Sequence, residues 1–226
     1  MFEKLLSYHQ IEDLRRDHIL NKFSTTDYDR RANFAIAVID DRPFPYEQNL
    51  KANGYLIETL GDIKSIDEVS RFNIVLCDLQ GVGKLLNQTG QGAFIIDEVK
   101  RKNPEKFVVA YTGGSPDDAI TIKAQEHADF FLKKDQDIDD WRDRLDYITG
   151  QLSNPIEIWR RQRDALVDAD VPTLDILKLE DAYVKSVKNE NISPYRAIAT
   201  SNAVSKDLRG IAQSLIASGI FKALFG

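Results

Sequence analysis

The chain has 226 residues, 42% hydrophobic and 29% charged, with a formal net charge of −6. This mixture excludes a fibrous repeat and an extended disordered chain, and the acidic balance argues against a surface coated with phosphate-binding lysines. The single cysteine, Cys77, excludes an internal disulfide; lying in an apolar run, it reads as a buried, inert thiol suited to a reducing compartment.

Met1-Phe2-Glu3-Lys4-Leu5-Leu6 lacks the basic start and apolar core of a secretion signal, so the expected location is cytoplasmic. Through residues 1–32, Phe2, Leu5, Leu6, Ile11, Leu14, Ile19, Leu20 and Phe23 recur at helical spacing among mixed charges. That pattern predicts an N-terminal helical extension of one or two amphipathic helices, closed by the polar Ser24-Thr25-Thr26-Asp27.

Residues 33–152 change character. Short apolar runs at Phe34 to Ile39, Tyr55 to Ile57, Asn73 to Cys77, Phe107 to Tyr111 and Phe130 to Leu132 alternate with helical patterns. Continuous apolar runs predict strands buried on both faces, and the helices between them predict crossovers joining parallel strands. The fold class is therefore α/β: a doubly wound five-stranded parallel sheet.

A helix is predicted from Ile138 to Leu152, and Ser153-Asn154-Pro155 reads as a cap followed by proline in the first turn. Residues 153–226 form an all-helical appendage, with helical patterns over Ile156 to Val167, Leu174 to Val187 and Ser193 to the end. Residues 151–226 hold 10 Lys/Arg and 9 Asp/Glu without a basic cluster, so helical dimerisation or partner binding is expected ahead of DNA binding. The apolar stretch 211–226 is shorter than the roughly 20 residues needed to cross a bilayer. With Lys222 as its one charge, it should be buried in protein, with a share in a homodimer interface.

Polar residues stand where the predicted strands end, the edge at which open α/β sheets place ligands. They are Asp40 and Asp41, Asp78, Thr112 and Lys134. In the flavodoxin-like order 2-1-3-4-5, strands 1, 3, 4 and 5 are neighbours about 4.8 Å apart, so these side chains can converge. Crowded carboxylates repel one another, and a hard divalent cation relieves that conflict.

Four segments in order carry a family resemblance. Phe34 to Asp41 resembles the first strand and acidic pair of response-regulator receiver (CheY-like) domains of two-component signalling. Ile74 to Leu79 resembles their phosphoacceptor strand. Val108 to Gly113 is similar to the strand ending in Ser/Thr, and Ala128 to Lys134 to the last strand with its aromatic switch and lysine.

The resemblance implies that Asp78 accepts a phosphoryl group from a histidine kinase or phosphotransfer protein. It further implies Mg²⁺ held by Asp40, Asp41, Asp78 and the backbone carbonyl of Gln80, phosphoryl contacts from Thr112 and Lys134, and Phe131 as a rotameric switch. Lys133 is a rival for the lysine role, with Lys134 preferred for its gap-free distance from Thr112 and Ala128. Such a protein is a phosphoacceptor, not a turnover enzyme, and assists only its own phosphorylation and dephosphorylation. Rival readings are a phosphorylation-independent interaction scaffold, a transcriptional regulator with an unrecognised DNA-binding region, and an aspartyl phosphatase. The phosphatase lacks a second acid at Gln80.

Two departures from the family stand out. Asp135 replaces the proline that usually follows the lysine, where a cis bond would cost about 3 to 4 kcal/mol. The segment Gln80 to Gly92 is longer than the family's loop, and its glycines Gly81, Gly83, Gly90 and Gly92 predict a mobile flap. Within it, Gly81-Val82-Gly83-Lys84 fails the phosphate-loop pattern, with Asp78 where the first glycine belongs and Leu85 after the lysine. His9, His18 and His127 lack metal-ligand spacing and read as surface or cap residues; Trp141 and Trp159 read as packing anchors.

Overall fold

The computed structural model describes residues 8–16, 26–115 and 117–225. Five strands, β1 (Ala35–Ile39), β2 (Leu56–Thr59), β3 (Ile74–Asp78), β4 (Phe107–Thr112) and β5 (Phe130–Lys133), form one sheet in the order 2-1-3-4-5. Every pairing is parallel. The central strands β1, β3 and β4 are buried almost throughout, as expected, whereas the edge strands β2 and β5 leave one face partly open, with Leu56 51% exposed. The fold is the flavodoxin-like doubly wound sheet.

Helices α1 (Asp13–Arg16) and α2 (Asp27–Arg31) precede the sheet, and α3 (Glu47–Ala52), α4 (Gln91–Lys102), α5 (Ala119–Gln125) and α6 (Ile138–Leu152) complete the α/β layers. Six of the N-terminal apolar positions, Phe2, Leu5, Leu6, Ile19, Leu20 and Phe23, lie outside the described residues, as does His18.

Alternation along each strand sends side chains to two cores. Ile36 and Val38, Ile74 and Leu76, and Phe107 and Val109 face α6, where they meet Trp141, Leu145 and Ile148. Ala37 and Ile39, Val75 and Cys77, and Val108 and Ala110 face α4 and α5, against Ile95, Ile96, Val99 and Ala124.

Beyond α6 come α7 (Pro155–Asp168), α8 (Thr173–Lys188), α9 (Ser193–Ala199), α10 (Lys206–Ala217) and α11 (Ile220–Phe225). The Asn154 side chain caps α7 by accepting from the Ile156 amide at 3.0 Å, with Pro155 in the first turn. The helical pattern from Ser193 to the end is broken twice. Ser205 caps a new helix through the Leu208 amide at 3.1 Å, and Gly219 turns the chain at φ +72°.

Leu215, Ile220, Phe221 and Leu224 are buried within this chain, alongside Tyr183 and Tyr195. These four positions of the stretch expected to share a dimer interface pack inside this chain, while Ile211, Ile216 and Phe225 are only partly buried. Trp141 and Trp159 are both fully buried anchors, as expected.

The appendage grips the sheet at the N-terminal ends of its strands. Asn73, just before β3, donates from Nδ2 to the Ser218 carbonyl at 3.0 Å, and Ser214 donates to Glu105, just before β4, at 2.8 Å. Arg161 of α7 donates to Asp129, just before β5, at 2.9 Å and to the Lys106 carbonyl at 2.7 Å, its guanidinium 3.9 Å from the Phe107 ring centroid. At the chain's other end, His9 binds Asp181 at 2.9 Å and the Ile11 amide donates to Glu180, which fastens the N-terminal segment to α8. Farther along, Arg31 of α2 forms a two-point ion pair with Asp146 of α6.

Candidate functional site

The site lies at the C-terminal edge of the sheet. In register, Ile39 of β1 stands beside Cys77 of β3, so the next residues, Asp40 and Asp78, emerge side by side. Both continue the α6-facing alternation, as does Tyr111, which sits opposite Asp78 across the β3–β4 pair. Asp40 and Asp78 are each only 3% exposed. Two buried carboxylates on adjacent strands demand compensation.

Lys134 supplies it. Its ammonium donates to Asp78 Oδ2 at 2.7 Å and Asp40 Oδ2 at 3.1 Å, and lies 5.3 Å from the Tyr111 ring centroid. The last ladder bond, from the Lys134 amide to the Thr112 carbonyl at 3.1 Å, sets the direction of the lysine. The main chain achieves this with Asp135 following and no cis peptide bond among the described residues. Burial works against the charge on Lys134, but Asp78 and Asp40 outweigh it and hold the ammonium above its ordinary value. Burial pushes the Asp78 carboxyl up, reinforced by Asp40 and opposed by Lys134. Asp78 Oδ1 also accepts from the amides of Leu79 at 2.8 Å and Gln80 at 3.4 Å.

Asp41 completes an acidic trio. It is exposed, yet one oxygen each from Asp40, Asp41 and Asp78 fall within 4.8 Å of one another. Gly81 allows this approach: at φ +92°, a Cβ there would stand 2.5 Å from Asp41 Oδ2. Gly92 is tighter still, since a Cβ would meet the Asp78 carbonyl oxygen at 2.0 Å.

The loop from Gln80 to Gly92 differs from the mobile flap its glycines predict. Val82 is fully buried in the α4-side core. The Gly83 amide donates to Asp62 at 2.6 Å, the Gly81 amide to the Gln91 side chain at 3.0 Å and the Gly90 amide to Asn87 at 2.8 Å. These glycines serve close approach and left-handed turns more than looseness.

Thr112 and Phe131 occupy the opposite face of the sheet from Asp78 and Lys134. The Thr112 hydroxyl accepts from the Gly114 amide at 3.0 Å, and it shares with Phe131, Gly114, Thr121 and Gln125 the wall of a cavity of about 460 Å³. Gln80 joins this edge, its side chain donating to Asp118 at 3.2 Å. The structure therefore brings Asp40, Asp41, Asp78 and Lys134 together directly and lets the Gln80 amide reach Asp78, whereas the Thr112 and Phe131 side chains line a cavity on the other face of the sheet.

Sequence reasoning missed Tyr111. Its hydroxyl donates to Asp40 Oδ2 at 2.8 Å, and its ring packs against Trp141 and Phe44. Burial and the adjacent acids push that phenol far above its ordinary value. The missed signal was alternation: Phe107, Val109 and Tyr111 share the face of the two buried aspartates.

Of the residues set aside, Cys77 is fully buried and burial pushes its thiol well up, as an inert thiol requires. His127 lies at the surface, 3.5 Å from Asp97.

The donor set is all carboxylate oxygen, and three acids face one lysine. That chemistry suits a hard divalent cation such as Mg²⁺. Among the described residues, no helix is long and apolar enough to cross a membrane.

No family model and no curated protein matches the chain. Solved structures are similar to it in part. The BeF₃-activated DrrB receiver domain is 21% identical, covering 52% of this chain and 97% of its own, at a TM-score of 0.40. A Burkholderia pseudomallei response regulator with a phosphorylated aspartic acid, calcium ion and citrate is 17% identical over 78% of this chain and 96% of its own, at 0.42. Full-length FixJ from B. japonicum is 17% identical over 82% of this chain and 97% of its own, at 0.43.

Proposed function

We propose that this chain is a response regulator whose receiver domain, residues 33–152, takes a phosphoryl group on Asp78 from a histidine kinase or phosphotransfer protein. The observation that carries this reading is the Lys134 ammonium joining two buried aspartates, Asp78 and Asp40, at the ligand edge of a 2-1-3-4-5 sheet. In the transfer, an Asp78 oxygen bonds to phosphorus as the phosphorus–nitrogen bond of a phosphohistidine breaks. The imidazole leaves with the bonding pair. Positioning and charge neutralisation suffice for such a step.

Asp40, Asp41, Asp78 and the Gln80 carbonyl would hold Mg²⁺, which when bound neutralises phosphoryl oxygens. Lys134 supplies a further positive charge. Thr112 would contact the phosphorylated group from the edge of β4, and Phe131, beside the same cavity, would change its packing as Thr112 moves. The domain acts on its own phosphoryl group and on no other substrate.

Residues 153–226 form the output, working by protein contact or by dimerisation. Their near-neutral charge supports this over DNA binding, as do the exposed Val167, Leu174 and Leu177 on α7 and α8.

Acetyl phosphate with Mg²⁺ should add one phosphoryl group to Asp78, detected by intact mass, and EDTA should prevent it. Labelling of Asp78→Asn at the wild-type level would falsify the assignment. Light scattering of the phosphorylated and unphosphorylated protein checks the dimer.

A further inference from the structure

Asp40 is crowded by donors. A carboxylate offers about four acceptor positions, two on each oxygen. Oδ1 accepts from the Arg42 amide at 2.9 Å, while Oδ2 accepts both from the Tyr111 hydroxyl at 2.8 Å and from Lys134 at 3.1 Å. The position left open is on Oδ1. Tyr111 is 1% exposed, and its ring is held between Phe44, at 5.7 Å between centroids, and Trp141, at 5.5 Å. The clamped ring aims the hydroxyl at Asp40, beside a cavity of about 160 Å³ that both residues line with Lys134.

Resting on the cation-dependent phosphoacceptor reading above, we infer that Tyr111 is a specificity-determining residue that confines Asp40 to one-point ligation of a divalent cation. Ca²⁺ takes six to eight oxygens and often binds a carboxylate through both of its oxygens, whereas Mg²⁺ keeps several waters and accepts single-point carboxylates. By filling one side of Oδ2, Tyr111 disfavours the two-point mode and tilts the site toward Mg²⁺. The hydroxyl acts through Asp40 and does not itself touch the cation.

The test is calorimetric titration of the wild-type protein, Tyr111→Phe and Phe44→Leu with Mg²⁺ alone and with Ca²⁺ alone. The wild type should bind Mg²⁺ at least as tightly as Ca²⁺; a wild-type preference for Ca²⁺ overturns the inference whatever the variants do. Tyr111→Phe should shift the affinity ratio toward Ca²⁺ by about fivefold or more, the worth of one net hydrogen bond. Phe44→Leu loosens the same aromatic packing but keeps the hydroxyl, so its ratio should match the wild type. An unchanged ratio in Tyr111→Phe, or an equal shift in Phe44→Leu, overturns the inference. Absence of any cation binding by the wild type would overturn the phosphoacceptor reading along with it.

Discussion

Lys134 reaches Asp78 at 2.7 Å and Asp40 at 3.1 Å, so a single ammonium ties together the ends of β1 and β3. Lys134→Ala leaves two buried carboxylates facing each other with no counter-charge. Breaking such a contact is costly, although the lysine's partial exposure reduces the effect, and a loss of about 2 kcal/mol is expected. Mg²⁺ should restore more stability to the variant than it adds to the wild type. Thermal unfolding with EDTA and with Mg²⁺ checks this; equal cation effects in both proteins would contradict it.

The opposite sign is expected for Asp78→Asn. Burial and Asp40 together make the charge on Asp78 unfavourable despite Lys134, and the amide removes that charge while Lys134 keeps Asp40. Without divalent cations, Asp78→Asn should be more stable than the wild type by about 1 kcal/mol. A lower urea midpoint at neutral pH would contradict this.

Gly92 admits no side chain. A methyl group there would lie 2.0 Å from the Asp78 carbonyl oxygen and 2.7 Å from the Leu79 Cα, both backbone atoms without freedom to yield. Gly92→Ala should cost about 3 kcal/mol and weaken cation binding as the end of β3 shifts. Normal melting and normal cation affinity together would show that the turn has slack.

Acid sensitivity should arise far from Asp78. Burial raises Asp129 and Asp146, but Lys100 and Arg161 outweigh it at the first, and Arg31 with Tyr55 at the second. Both carboxyls are held below the ordinary value of 3.8. Each then binds fewer protons folded than unfolded, so its contribution is complete above 3.8 and is lost as pH falls below it. Asp129→Asn should lower stability at neutral pH and flatten the acid limb of the stability curve. An acid limb identical to the wild type would show that this ion pair does not report on folding.

The sheet was legible because all five strands carry apolar runs, and parallel order followed from the helices between them. Asp40, Asp78 and Lys134 were legible because each ends such a run. Tyr111 was hidden, since an aromatic residue at the end of a buried strand reads as core until its face is counted. The glycines of the Gln80 to Gly92 loop misled for a related reason. Composition signals freedom, whereas Gly81 and Gly92 are required by how closely Asp41 and the Asp78 carbonyl approach. The breaks at Ser205 and Gly219 were also obscured, because apolar spacing continues through them while the backbone does not.

The grip of Arg161 on Asp129 has a mechanical consequence. Asp129 precedes β5, whereas Lys134 follows it, so the two ends of one strand belong to different tasks. Four residues of strand lie between them, five steps and about 16 Å at the usual rise. α7 is seated at the edge opposite the acidic one. The C-terminal helices also hold the start of β3 through Asn73 and the start of β4 through Glu105, so three neighbouring strands join the acidic edge to them. β5 is one of these struts, and its pairing with β4, Val109 beside Phe130, braces it along the sheet.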